Sequence, residues 1–351
     1  MSRQIILISS LGESPAVVTE AIDKIQQEES VQFTMVVTLA TSQDVVRQGV
    51  EILTEHIRAH YGGRTGYVPD FIDATDVLTE KDNLDYFTLV AKWLRAYPPS
   101  QNDVYVSLAG GRKTMSALVA LAVQIYGAKL LCHVVHLLMD ERLQRKMEAS
   151  HLRRFPEEQM ALLHPDAGEL ELVRLPVVSL FPLLNDLLNA LGGHNIGWLE
   201  KPVQRLLEGN HLIEKHAEGW RVTQAGMQLH EIISDIELLP EPSTKAPTDK
   251  KVDLKDHHGK DELAPLAERL RLFPYAERVV SSDYNSQFDR SRAVRTPQGR
   301  ILVQASTQPD VLRVTLADSQ KGYALEVYTR AQSKSQAERA RRELERFLTE
   351  Q

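Results

Sequence analysis

Short, nearly unbroken apolar runs alternate with longer segments of helical periodicity through the first 136 residues. Residues 4–10, 33–39, 68–72, 104–108 and 129–136 read as strands covered on both faces, because branched and bulky side chains fill consecutive positions instead of every second one. Between them, residues 16–27, 43–61, 84–97 and 117–126 space apolar side chains three and four apart; Val17, Val18, Ala21, Ile22 and Ile25 form one such stripe. Ser14 and Pro15 predict an N-cap and a first-turn proline for the first helix. The alternation predicts an α/β fold, a doubly wound, Rossmann-like parallel sheet occupying residues 1–165.

The texture then changes. Residues 141–165 are charged and read as a surface helix and connection, in which His151 and His164 stand too far apart and too isolated for a metal site. Residues 177–191 and 197–207 read as amphipathic helices, 211–215 and 220–223 as a hairpin around Glu218 and Gly219, and 224–233 as a closing helix, giving a second unit over 176–236. Residues 237–261 carry Pro240, Pro242 and Pro247, alternating charge and few apolar side chains, the composition of a flexible linker, with His257 and His258 as solvated members. A third unit, 262–351, reads as a helix (262–281), three antiparallel strands (300–305, 311–317, 322–329) with a turn at 318–322, and a helix (335–348): a small α+β domain.

Charge sharpens this division. Residues 262–351 hold 15 Lys and Arg against 12 Asp and Glu, leaving 26 against 36 of the chain's 41 and 48 for residues 1–261. An acidic body thus carries a basic tail unit, and 13 of the tail's cations are Arg, the side chain suited to bidentate phosphate contacts. No apolar run reaches the ~20 residues that span a bilayer, and residues 5–8 are too short for a secretory signal core, so a cytoplasmic protein without membrane contact is expected. Cys132, the single cysteine, lies among Leu130, Leu131, Val134 and Val135 and reads as an inert core thiol.

Candidate chemistry collects at the strand ends. After the fourth strand the chain reads Leu-Ala-Gly-Gly-Arg-Lys-Thr-Met: Gly110 and Gly111 permit positive φ and close ligand approach, Arg112 and Lys113 supply charge, Thr114 a hydroxyl, and a helix N-terminus follows. This suits phosphate, though the spacing is neither that of a Walker loop nor Gly-x-Gly-x-x-Gly. Ligands of doubly wound sheets gather at the carboxyl ends of the strands, so Ser9, Ser10, Leu11, Gly12, Thr41, Ser42 and Asp76 are expected to share one crevice with Gly110 to Thr114.

The Gly-Gly-Arg-Lys-Thr string resembles the second signature of CARF domains, sensors of cyclic oligoadenylates in type III CRISPR defence, and Ser9-Ser10-Leu11-Gly12 matches the first. The resemblance implies a homodimer sharing one cyclic ligand, most simply cyclic tetra-adenylate, as an allosteric activator, with no cofactor or metal. Some members cut their ligand slowly; Ser10 and Lys113 would serve here. Helix, helix, hairpin and Gly-Trp-Arg-Val-Thr-Gln-Ala-Gly resemble a winged helix-turn-helix. Its second helix carries Glu200, Lys201, Arg205 and Glu208, which cancel, against DNA reading.

No cysteine and no histidine occur after His258, which excludes the Arg-x₄₋₆-His centre of HEPN ribonucleases, and the tail resembles the RelE family of mRNA interferases. RNA brings its own nucleophile, the 2′-hydroxyl, so such a site needs only orientation and charge stabilisation. By order of elements the resemblance places Arg313, Arg300, Arg330, Lys334, Tyr323 and Tyr328 as catalytic candidates, while Arg339, Arg341, Arg342 and Arg346 read as surface or ribosomal-RNA contacts. The architecture as a whole resembles CRISPR-associated mRNA interferases: a ligand-activated, metal-independent endoribonuclease acting on mRNA in the ribosomal A site. A ligand-responsive DNA-binding regulator and a ring nuclease remain the alternatives.

Overall fold

The structure is a computed structural model that describes residues 3–63, 65–193, 196–217, 219–256, 259–282, 292–296, 299–316 and 323–349. The expectations for His257, His258, Glu218 and the turn at 318–322 lie outside these residues.

The chain begins with β1 (Ile5–Ser10), α1 (Ala16–Glu29), β2 (Met35–Thr41), α2 (Asp44–His60), β3 (Gly66–Ile72), α3 (Glu80–Ala96), β4 (Asp103–Ser107), α4 (Lys113–Tyr126) and β5 (Leu130–His136). These five strands are parallel, in the order β3-β2-β1-β4-β5, the doubly wound arrangement that the alternation predicts. Every residue of β2 is buried, because alternate side chains enter two different layers. Met35, Val37 and Leu39 face α3 and α4; Val36 and Ala40 face α1 and α2, among Val18, Ile22, Val50 and Ile57. Cys132 is fully buried in the second layer, and burial pushes its thiol up to about 12, so the inert reading holds.

Several expectations need correction. Ser14 caps nothing: α1 starts behind Pro15 without a side-chain cap, and the Ser14 hydroxyl instead donates to the Met147 carbonyl at 2.9 Å. Residues 141–165 form three short helices, α5 (Glu141–Lys146), α6 (Ala149–Arg154) and α7 (Gln159–Leu163), folded back over α1 and α2 by Ala149, Leu152 and Leu163. A strand unforeseen in the sequence, β6 (Leu170–Leu175), pairs antiparallel with β5 at the sheet edge.

Beyond it come α8 (Leu184–Leu191), α9 (Lys201–Gly209), the hairpin β7 (Ile213–His216) and β8 (Gly219–Val222), and α10 (Gln224–Glu237). The segment read as a linker is a bound strap. Arg95 of α3 donates to the carbonyls of Leu239 and Pro240, Ser243 and Pro247 are buried, and β9 (Lys251–Asp253) joins a sheet. Lys250 is 4% exposed and donates to the Phe273 carbonyl at 2.7 Å; burial draws its ammonium down to about 7.

The C-terminal part adds α11 (Lys260–Leu272), β10 (Arg278–Ser282), β11 (Val294–Thr296), β12 (Gly299–Ala305), β13 (Val311–Leu316), β14 (Ala324–Tyr328) and α12 (Lys334–Thr349). The helix expected to run to residue 281 ends at Leu272, before Phe273-Pro274, because a residue preceding proline disfavours the helical region. The sheet is accordingly six-stranded, β11-β12-β13-β14-β10-β9, antiparallel except for β10 with β9. Its alternate residues Ile301, Val303, Leu312, Val314, Leu325 and Val327 are buried in the same apolar cluster as residues of α11 and α12. That cluster continues without a gap through α8 and α10 into the first sheet.

Glu20 of α1 is 2% exposed, and burial, with Asp23 adding repulsion, pushes its carboxyl up to about 8. A raised folded-state pKa means that the native chain binds the proton more tightly. The contribution is therefore full below the unfolded value near 4.5 and is lost as pH rises towards 8. Glu20→Gln should remove this slope and stabilise the protein at pH 8 by roughly 4 kcal/mol, from the size of the shift, with little change at pH 4. Urea unfolding of both proteins at the two pH values measures it; parallel stability curves would refute it.

Candidate functional site

A cleft of about 850 Å³ opens at the carboxyl ends of β1, β2 and β4, where the chain order of the strands reverses. This is the place at which doubly wound sheets take ligands, and the volume lies within the ~300–1,000 Å³ usual for ligand pockets. Leu11, Gly12, Thr41, Asp76, Gly110, Gly111 and Arg112 line it, as expected.

The other predicted members do not. Ser9 and Ser10 are 0% and 1% exposed: they are the last residues of a central strand covered on both faces, and the cleft opens one residue later. Ser42 is tied to the chain after β3, its Oγ on the Asp73 carbonyl at 3.3 Å and its N–H on Ala74 at 2.9 Å. Lys113 and Thr114, in the first turn of α4, are exposed and lie outside the lining. A ring-cutting role for Ser10 therefore lacks access to the cleft.

The glycines have a packing role before any ligand arrives. Gly110 has φ 103°, and a side chain there would fall 2.5 Å from the Ser10 carbonyl oxygen; one on Gly12 would meet the Gly111 nitrogen at 2.6 Å. The two turns touch backbone to backbone, which sets the floor of the cleft.

The electrostatics are mixed. The Arg112 guanidinium makes a two-point ion pair with the Asp76 carboxylate, which holds Asp76 below its ordinary range and Arg112 above its own. Glu13 and Glu148 add negative charge, so the cation is already engaged. Sequence reasoning missed the opposite wall, Met139, Gln144, Met147 and Glu148, which the fold-back of α5 and α6 delivers and the Ser14 bond to Met147 fixes.

Of the C-terminal candidates, three share a sheet face. In register, Arg313 stands between Gln304 and Glu326, while Arg300 and Tyr328 occupy the same alternation on β12 and β14. Arg278 of β10 lies 3.8 Å from the Tyr328 ring centre, and the Tyr328 hydroxyl donates to Glu326 at 3.1 Å. Burial and Glu326 raise the phenol. Tyr323 belongs to the opposite face, against Gly259 at the start of α11. Arg330 leaves the sheet to bond the Pro242 carbonyl at 3.2 Å, and Lys334 is exposed at the first turn of α12. Both are separated from the Arg313 face because they follow the last strand.

The arginines of α12 also depart from expectation. Arg346 forms a two-point pair with Asp70 of β3 at 2.8 and 3.0 Å and contacts Glu343; Arg341 is held by Glu338 and Glu345, and Arg339 by Asp235 of α10. An amphipathic helix whose cations meet acidic partners inside the molecule leaves little for an RNA. Arg342, paired only at its edge with Glu338, stays largely exposed.

His164 is likewise not isolated. It packs with His56 and His60 of α2, ring centres 4.7 and 4.0 Å away. The two histidines four apart on one predicted helix were the available signal; their partner lies more than 100 residues on.

A parallel sheet with a glycine-lined cleft at its switch point defines a Rossmann-like fold. Residues 14–208, more than half of the chain, match the model of the CRISPR-associated protein NE0113 family, and the chain belongs to that family. No curated protein matches it. Among solved structures, Enterococcus italicus Csm6 bound to cyclic hexa-2′-fluoro-hexa-dAMP is similar at 14% identity and a TM-score of 0.34, over 77% of this chain and 60% of that one. Vibrio cholerae VC1899 is similar at 6% identity and a TM-score of 0.28, over 93% and 77%. The chain thus spans 60% of the length of the Csm6 chain. Among the described residues, no helix is long and apolar enough to cross a membrane.

Proposed function

We propose that the chain is a type III CRISPR accessory effector whose cleft binds a cyclic oligoadenylate, with cyclic tetra-adenylate as the first choice, across a homodimer. Ligand binding activates the C-terminal unit to cut mRNA on the ribosome. The observation that carries this reading is the switch-point cleft itself: two touching glycine turns, an α4 N-terminus and Arg112, in a chain of a CRISPR-associated family. The second unit is read as a winged helix that joins sensor to effector.

The Arg112–Asp76 pair gives the ligand something to displace. Phosphate competes for the guanidinium, so Asp76→Asn should tighten binding several-fold, whereas Arg112→Ala should weaken it about 10- to 100-fold, the value of a charge-assisted hydrogen bond. Calorimetry with cyclic tetra- and hexa-adenylate decides: absent heat with either ring, or equal affinity in both variants and the wild type, removes the sensor reading. The effector reading has its own test. Translating ribosomes given the protein and cyclic tetra-adenylate should yield shortened messages, and naked RNA should not. Intact messages with demonstrated ligand binding would leave a sensor without this output. A gel shift on DNA with ligand would then favour the regulator.

A further inference from the structure

Outside the cleft, one cluster of side chains converges without a task in the proposed reaction. His56 and His60, one turn apart at the end of α2, meet His164 at the end of α7, and one ligating nitrogen of each lies within 4.8 Å of the others. Nε2 of His56 and Nε2 of His164 face each other at 2.5 Å. Nδ1 of His164 is bonded to Asp23 Oδ2 at 2.5 Å, and Asp23 is itself held by the Tyr61 hydroxyl, which donates to Oδ1 at 2.7 Å.

From this geometry we infer that His56, His60 and His164 form a binding site for a divalent transition metal ion of the zinc type, three imidazoles with water in the fourth position. The chemistry of the set is specific. Imidazole is the nitrogen donor that suits zinc and its neighbours, and a ligating histidine characteristically gives its other N–H to a carboxylate. Asp23 does this for His164: it fixes the Nδ1–H tautomer and leaves the Nε2 lone pair directed at His56. Asp23 is thus a positioning residue and not a ligand.

Little movement is needed. Two nitrogens on a tetrahedral ion at ~2.0 Å stand about 3.3 Å apart, so rings now 2.5 Å apart at Nε2 need to separate by less than an ångström. His60 is exposed and stacked on His164, and one of its ring nitrogens lies within 4.8 Å of the other two ligating atoms. The consequence is mechanical. The ion would staple α7 to α2 and, through Asp23, to α1, and so fasten the α5–α7 fold-back whose first part supplies Gln144, Met147 and Glu148 to the cleft wall. The inference does not depend on what the cleft binds.

The test uses the full chain without an affinity tag, stripped by chelator and titrated with Co²⁺ and then Zn²⁺. One equivalent of Co²⁺ should give the intense visible absorption of a tetrahedral site, which one equivalent of Zn²⁺ abolishes. His60→Gln, at an exposed position that leaves the fold intact, should lose the band, as should His164→Gln. Asp23→Asn should keep it with affinity about 10- to 100-fold weaker. Only the weak spectrum of the hydrated ion in the wild type, or equal affinity in His60→Gln and the wild type, would reduce the cluster to a hydrogen-bonded histidine stack.

Discussion

Arg346→Met should destabilise the protein by about 3–5 kcal/mol, the cost of leaving buried charge without its partner. Asp70 is 2% exposed and accepts from both Arg346 and the Trp93 indole N–H, the latter at 2.6 Å. Glu343, 8% exposed, takes Lys92 and Arg346. Burial alone would raise the Glu343 carboxyl, yet the two cations outweigh it and bring it down to about 2. A lowered folded-state pKa contributes stability that is present above the unfolded value near 4.5 and lost as pH falls towards 2. In the variant only Lys92 is left to oppose the burial of Glu343, so its carboxylate is held less well and the deficit should be largest at neutral pH and narrow on acidification. Urea unfolding of Arg346→Met, Asp70→Asn and the double variant at pH 7 and 4.5 measures this. Additive single effects would show that the pair is not coupled.

The network also joins the first sheet to the tail unit. Asp70 lies on β3, next to the strand that delivers Thr41 to the cleft, and its partner is a residue of the last helix. With the strap bound to α3 and one apolar cluster running through all the units, activation by release of a freely tethered domain is not supported. Under the proposed function, a ligand in the cleft shifts the tail unit only by its preference for one arrangement of the chain over another.

The first sheet was legible because parallel strands buried on both faces have to be apolar at consecutive positions, a pattern that little else produces. β6 and β9 were not. β6 alternates buried Leu170 and Leu172 with Glu171 and Val173 at an edge, and β9 has three residues, two of them the charged Lys251 and Asp253. Pro274 offered the correct end of α11, but the apolar face of Leu263, Leu266, Leu270 and Phe273 carried the helix past it, over residues that form β10. The strap misled for a different reason. Proline and charge look solvated in composition, whereas here a carbonyl partner for Lys250 and a guanidinium for the Leu239 and Pro240 carbonyls make burial tolerable. At the cleft, Gly12 and Gly110 to Arg112 were readable from local chemistry alone. The Met147 wall, and the meeting of His164 with the His56 and His60 pair, depend on contacts far apart in sequence, which no local pattern encodes.

Arg313→Ala should lower ligand-stimulated message cleavage about 100- to 1,000-fold, the usual loss when one preorganised charge-stabilising donor is removed. The sheet supports that role for Arg313 better than for its rivals. Register sets it at the centre of a face with Arg300 and Tyr328, on a strand whose alternate residues Leu312 and Val314 are locked in the core. A guanidinium on so fixed a backbone can be aimed at a phosphate without further ordering. Glu326 stands directly opposite in register, its carboxylate accepting from Ser282 and Tyr328. Tyr323→Phe, on the helix face, should leave the rate unchanged, while Tyr328→Phe should lower it. The measurement is cleavage on translating ribosomes under saturating cyclic tetra-adenylate, with calorimetry showing that each variant still binds the ring. Wild-type cutting by Arg313→Ala, or equal losses in Tyr323→Phe and Tyr328→Phe, would move the reacting centre off this face.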